Sequence, residues 1–264
     1  MISAYKYIYG PVPSWRLGSS LGIDLLSQED KVCNFDCIYC QLGKTKRHIT
    51  ERRIYVAVKD VVEEIERMPA ADIDYITFSG RGEPALAENL GQAIRAVKLI
   101  RKTPVAILTN AALLYKPQVR QEASGADFVI AKLDAYSPES LQAINNPAKG
   151  IAFDDLVKGI KEFKRQYKGK LALQIMCMAN NKDAIEQLAH LVNCIKPQEV
   201  QVNTPLRPCG IAPLKKEEIL KIKDTFAVAC KEIRIVSIYD ERELRGVAPL
   251  SDKDTLKRRG KIML

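Results

Sequence analysis

Beyond about residue 54 the chain alternates between two textures. Short β-branched or apolar runs occupy 72–79, 105–109, 128–134, 171–178 and 199–204, and each is the length of a buried strand. Between them lie longer stretches whose apolar residues recur every three or four positions, as on one face of a helix. In 86–100 these are Leu90, Ala93, Ile94, Val97 and Ile100; in 153–167 they are Leu156, Val157, Ile160 and Phe163. Segments 184–195 and 215–230 follow the same pattern. Upstream, 17–26 reads as a first strand, and 234–238 as a last short one. Strands alternating with helices predict parallel βαβ units. Six main strands are too few to close an eight-stranded barrel. The expected fold is therefore α/β, a partial (open) six-stranded (β/α)6 barrel over residues 17–238. Residues 1–16 read as an N-terminal extension and 239–264 as a polar basic tail. In βα barrels chemistry gathers at the C-terminal ends of the strands, and that rule selects the residues to inspect.

After the first strand come Cys33, Cys37 and Cys40, spaced C-x3-C-x2-C. Short spacings let several thiolates converge on one metal centre. A four-iron cubane held by three thiolates would keep one iron free for a small molecule. Zinc is the alternative, with His48 as a fourth ligand, although zinc sites usually show two paired short spacings and only one is present. The second strand runs into Gly80-Arg81-Gly82-Glu83-Pro84. Glycines there let the backbone turn sharply and approach a ligand, and Glu83 offers a carboxylate; alone, the segment is also an ordinary strand-to-helix turn. Thr109 and Asn110 end the third strand, as ligand contacts or as turn caps. Lys132 and Asp134, two apart, share a face at the end of the fourth. They form either an ion pair inside the barrel or a solvated pair at a helix edge. Gln174 interrupts an otherwise apolar fifth strand, and Asn203 and Thr204 end the sixth. Cys209 lies in the loop beyond, as a thiol able to return a hydrogen atom or as an inert side chain. Cys177, Cys194 and Cys230 lack ligand spacing, and the two in helices, Cys194 and Cys230, are expected in the core.

The cysteine loop with Tyr39 before its third cysteine, followed about forty residues later by Gly82-Glu83-Pro84, resembles the radical S-adenosylmethionine (SAM) superfamily. The resemblance implies the open barrel of that superfamily, a [4Fe–4S] cluster on Cys33, Cys37 and Cys40, and SAM chelating the free iron. It implies reductive cleavage of SAM to a 5′-deoxyadenosyl radical that abstracts hydrogen from a substrate. On this reading Tyr39, Gly80, Gly82, Glu83, Pro84, Thr109, Asn110, Gln174, Asn203 and Thr204 surround the cofactor, while Lys132, Asp134 and Cys209 are the catalytic candidates. Arg81 stands where the family motif has glycine. Segments 9–22, 37–43, 77–84 and 202–208 resemble the branch that holds the wyosine-type tRNA-modifying enzymes. The upstream cysteines of that branch have no counterpart, since no cysteine precedes Cys33. The resemblance thus implies core, cofactors and radical chemistry, and leaves the substrate as a tRNA base, a small metabolite or a peptide. It also implies an external electron donor such as flavodoxin or ferredoxin.

Composition adds less. The 264 residues are 47% hydrophobic and 28% charged, as in an ordinary globular protein. No apolar run approaches a membrane span and the first residues carry no apolar signal core, so no membrane partner and a cytoplasmic location are expected. The net charge of +9 permits an anionic partner. Most of the basic residues read as solvated faces, but the run from Lys44 to His48 leaves the cysteine loop directly. A second class therefore stays open: a zinc-stabilised nucleic-acid-binding protein without catalysis.

Overall fold

The computed structural model describes residues 5–241 and 246–259. Eight strands form one curled sheet in sequential order: β1 (Ile8–Ser14), β2 (Gly18–Ile23), β3 (Tyr75–Phe78), β4 (Val105–Thr109), β5 (Phe128–Lys132), β6 (Lys170–Met176), β7 (Glu199–Asn203) and β8 (Arg234–Ser237). β2 to β8 are parallel to their neighbours, and β1 pairs antiparallel with β2. Helices α1 (Val58–Arg67), α2 (Leu90–Ile100), α3 (Pro117–Ala123), α4 (Pro138–Asn145), α5 (Phe153–Gln166), α6 (Ile185–Ile195) and α7 (Lys216–Ala229) punctuate the strands, and α8 (Asp252–Arg259) follows the last one. The result is the expected open (β/α) half-barrel, with eight strands rather than six.

The two strands beyond the six main ones lie at the edges, and β8 is the short last strand expected at 234–238. β1 falls in the segment expected as an extension. Gly10, Pro11 and Pro13 hide its pattern, yet prolines are tolerated on an edge strand, where one side of the backbone needs no partner. α8 falls in the expected polar tail and packs back on β1. Its Arg258 Nε lies 3.0 Å from Asp24 Oδ2, just beyond β2, and both side chains are buried. Burial pushes the Asp24 carboxyl upward, while the Arg258 guanidinium and the amides of Arg81 and Leu26 pull it down. Cys194 also departs from expectation. The buried face of α6 is Ile185, Leu188, Ala189, Val192 and Ile195, which leaves Cys194 exposed near His190.

Alternation along the strands gives the sheet two faces. On the convex face Ile107, Val129, Ala131, Leu171 and Leu173 join Ile94, Val97, Ile160 and Phe163 of the helices in the main core. Truncating a fully buried aromatic such as Phe163 to alanine costs about 3–5 kcal/mol in such settings. The concave face carries a separate cluster of Leu17, Ala106, Phe128, Ile130 and Ala172, without a helix residue in it. Above that apolar floor the same face turns polar. Lys132, Gln174 and Gln201 are register partners on β5, β6 and β7. Among the described residues no helix is long and apolar enough to cross a membrane.

Candidate active site

The cysteine loop is fastened to the second strand's loop by backbone alone. Val32 N donates to Arg81 O, and Glu83 N donates to Val32 O, each at 3.0 Å. This bridge explains Gly82. A Cβ there would sit 1.7 Å from Val32 O, and its φ of 157° is one that L residues rarely adopt. Gly80, with φ 132°, leaves room for Asp24, whose Cγ would lie 2.4 Å from an added Cβ. On its far side the cysteine loop bonds to the end of α4, through Asp36 N to Asn145 O and Ile38 N to Ile144 O, both 3.0 Å.

The three thiols are free and half-buried. Each has a nitrogen donor aimed at it: Phe35 N at 3.4 Å from Cys33 Sγ, Asn145 Nδ2 at 3.3 Å from Cys37 Sγ, and Lys31 Nζ at 3.3 Å from Cys40 Sγ. Burial raises the Cys33 thiol well above its ordinary range and raises Cys37 to about 11. Metal ligation, which takes thiolates, would therefore release protons. Three thiols with three donors suit an electron-rich iron–sulfur centre, whose sulfurs accept such bonds. The zinc arrangement fits less well. His48 Nε2 donates to Asn146 O at 2.9 Å, and among the described residues no three His, Cys, Asp or Glu side chains meet as the ligands of one ion do.

Glu83 is buried, and its carboxylate is fully engaged. Oε1 accepts from Thr109 Oγ1 at 2.6 Å and from Ala85 N at 3.0 Å; Oε2 accepts from Asn110 N at 2.6 Å. Burial raises its pKa, and these three donors oppose the shift. Asn110 Nδ2 continues to Asn34 Oδ1 at 2.7 Å. Gly80, Gly82, Glu83, Pro84, Thr109 and Asn110 thus form one structure with the cysteine loop.

Across the mouth, Lys132 Nζ is 3.2 Å from Asp134 Oδ1, with the carboxylate 1% exposed. Lys132 also lies 4.9 Å above the Tyr39 ring and reaches Gln174 Oε1 at 3.4 Å. Tyr39 Oη donates to Asp134 Oδ2, and Met176 N donates to Asp134 Oδ1 at 2.8 Å. A cavity of about 10 Å³, lined in part by Asn110, Lys132, Asp134 and Asn145, adjoins the pair. Gln174 Nε2, Gln201 Oε1 and Asn203 Oδ1 are buried without a partner among the described residues. Buried polar atoms normally have one, so these three suit a bound polar molecule. Thr204 Oγ1 is partnered, accepting from Leu214 N at 2.9 Å. Cys209 packs with Tyr39, Ile144, Met176 and Ile211 over the cysteine loop, its thiol 3.3 Å from Ile211 O. Asn145 was missed by sequence reasoning. A capping box at Ser137 with Pro138 behind it signals the start of α4, but nothing local marks the residue at its end.

Residues 31–192 match the radical SAM superfamily profile. The chain belongs to that superfamily and is an enzyme of it. Within it, the chain belongs with the UPF0026 proteins. It is 39% identical to the UPF0026 protein of Synechocystis sp. over 218 residues, 82% of this chain and 81% of that one. Among solved structures, Streptococcus suis SuiB bound to precursor peptide SuiA is similar with a TM-score of 0.62 at 13% identity, over 82% of this chain and 48% of that one. Archaeal TYW1 is similar with a TM-score of 0.56 at 14% identity, over 80% and 72%. These two likenesses are of fold, and the chain spans about half the length of SuiB.

Proposed function

We propose that Cys33, Cys37 and Cys40 hold a [4Fe–4S] cluster, that the Gly80–Pro84 loop with Thr109 and Asn110 holds SAM beside it, and that the substrate is a nucleic-acid base, in tRNA. The observation that carries the cofactor assignment is the backbone bridge joining the cysteine loop to Gly82 and Glu83. It ties the three thiols and the SAM loop into one unit. Bound there, cluster and SAM would supply one-electron cleavage of SAM and radical hydrogen abstraction. The chain's own residues do the rest. Tyr39 covers the cysteine loop from the barrel side, Glu83 fixes the SAM loop to the end of β4, and Gln174 and Asn203 present unpartnered amide atoms to the nucleoside. Lys132 and Asp134 face the substrate as a proton-holding pair. Cys209 stands at the mouth as a hydrogen donor to a substrate radical. An external flavodoxin or ferredoxin in the cytoplasm supplies the electron.

The tRNA reading is supported by the net charge and by the basic run Lys44, Lys46 and Arg47, exposed beside the cysteine loop. A phosphate backbone would meet that run at the rim, with salt-dependent affinity. The test is anaerobic reconstitution with iron and sulfide, then dithionite and SAM, with 5′-deoxyadenosine measured. The expected product appears in the wild type and not in Cys37→Ala. Deuterated tRNA should then transfer label into 5′-deoxyadenosine. A colourless, zinc-loaded protein would end the cofactor assignment, and label transfer from a small metabolite instead would end the tRNA assignment alone.

A further inference from the structure

Asn145 has more acceptors around its amide than it has hydrogens. Nδ2 carries two hydrogens and lies 3.3 Å from Cys37 Sγ, 3.3 Å from Tyr39 Oη and 3.2 Å from Asp134 Oδ2. The Tyr39 hydroxyl hydrogen is already given to Asp134, so its oxygen faces Asn145 as an acceptor. A sulfur, a phenol oxygen and a carboxylate thus divide two hydrogens. The share that falls to sulfur depends on how strongly Asp134 draws the amide. That in turn depends on Lys132, which neutralises Asp134 from its other oxygen at 3.2 Å. Asn145 itself is held in place. It is 3% exposed, and its carbonyl accepts from Asp36 N in the cysteine loop.

We propose that Asn145 is a positioning residue that couples the Lys132–Asp134 pair to Cys37, so that a substrate group engaging Lys132 alters the reduction potential of the centre held by the cysteine loop. The inference rests on the cluster assignment made above. Hydrogen bonds to ligand sulfur draw charge from it and raise the potential of an iron–sulfur centre. When Lys132 turns to an anionic or carbonyl group of substrate, Asp134 loses part of its countercharge and pulls the amide harder. The bond that Cys37 Sγ accepts from Asn145 Nδ2 then weakens and the potential falls.

The test is a double-mutant cycle read as a potential rather than as activity. Wild type, Asn145→Leu, Lys132→Met and the double variant are reconstituted anaerobically and titrated reductively, with the reduced cluster followed by electron paramagnetic resonance. Asn145→Leu should lower the fraction reduced at a fixed poise at least threefold. Lys132→Met should lower it too, and its effect should at least halve when Asn145 is already leucine. Additive effects, or an Asn145→Leu potential equal to wild type, would overturn the coupling. Should Asn145→Leu fail to load iron, Asp134→Asn reads the same link from the other side. It removes the competing charge, and the potential should rise; no rise overturns the proposal. A wild-type protein that takes up no [4Fe–4S] cluster sinks the functional reading and this inference together. A loaded cluster indifferent to Asn145 sinks this inference alone.

Discussion

The two sides of the barrel mouth are built differently. On the β2–β4 side, position comes from the backbone. The cysteine loop and the Gly80–Pro84 loop bridge through main-chain bonds, a glycine permits the approach, and Glu83 is closed off by three donors. On the β5–β7 side, position comes from side chains meeting across strands. There a lysine and an aspartate neutralise each other, and three amide atoms have no partner among the described residues. The contrast separates holding from reading. A group that must sit in one place is framed by backbone, which tolerates almost no substitution. A surface that must recognise a molecule keeps polar atoms uncommitted until the molecule arrives.

The comparison can be broken at four points. The largest effect is expected from Gly82→Ala, because a methyl 1.7 Å from Val32 O forces the two loops apart. Iron uptake after reconstitution should fall at least tenfold, and a normally loaded variant would refute the claim that backbone contact frames this side. Next comes Arg258→Ala, which strands Asp24 in the interior. Breaking a buried pair by removing one partner costs about 3–5 kcal/mol, measurable as a drop in the urea midpoint. A shift below about 1 kcal/mol would mean that Asp24 finds water, which neutralises the idea of a brace. Glu83→Gln should cost about 1–3 kcal/mol, since the new amide turns hydrogens toward a donor already placed there. SAM affinity measured by calorimetry should fall with it. The smallest effect is expected on the opposite side. Gln174→Met removes an amide nitrogen that has no partner among the described residues and an oxygen whose one contact, to Lys132 Nζ, is long at 3.4 Å, so stability should change by less than about 1 kcal/mol. A loss as large as that of Glu83→Gln would erase the distinction between the two sides.

The same contrast explains what could be read from the chain. The alternation of apolar runs gave the strands β2 to β8 and the open barrel, since both sheet faces and the helix faces are periodic. β1 escaped because prolines and a glycine break its alternation, and α4 because it is short. The backbone-framed side was legible as motifs, because glycine and cysteine at fixed spacing are what its geometry demands. On the other side the two-residue separation of Lys132 and Asp134, the lone polar Gln174 in an apolar strand, and Asn203 and Thr204 at a strand end were local enough to see, but not how they meet. Asn145 reaches Cys37 from 108 residues away, and the row from Lys132 through Gln174 to Gln201 exists only once three strands are in register.

The ion pair between Asp24 and Arg258 also sets an order of events during synthesis. Its two residues are 234 positions apart. At about 5–20 residues per second, the arginine is joined roughly 10–50 s after the aspartate. During that interval the cysteines are already made, while the carboxylate that supports the Arg81 amide has no countercharge. A nascent chain therefore finishes the support of its Gly80–Pro84 loop late. An early release or a nick ahead of α8 would leave every cysteine in place and the loop beside them unbraced.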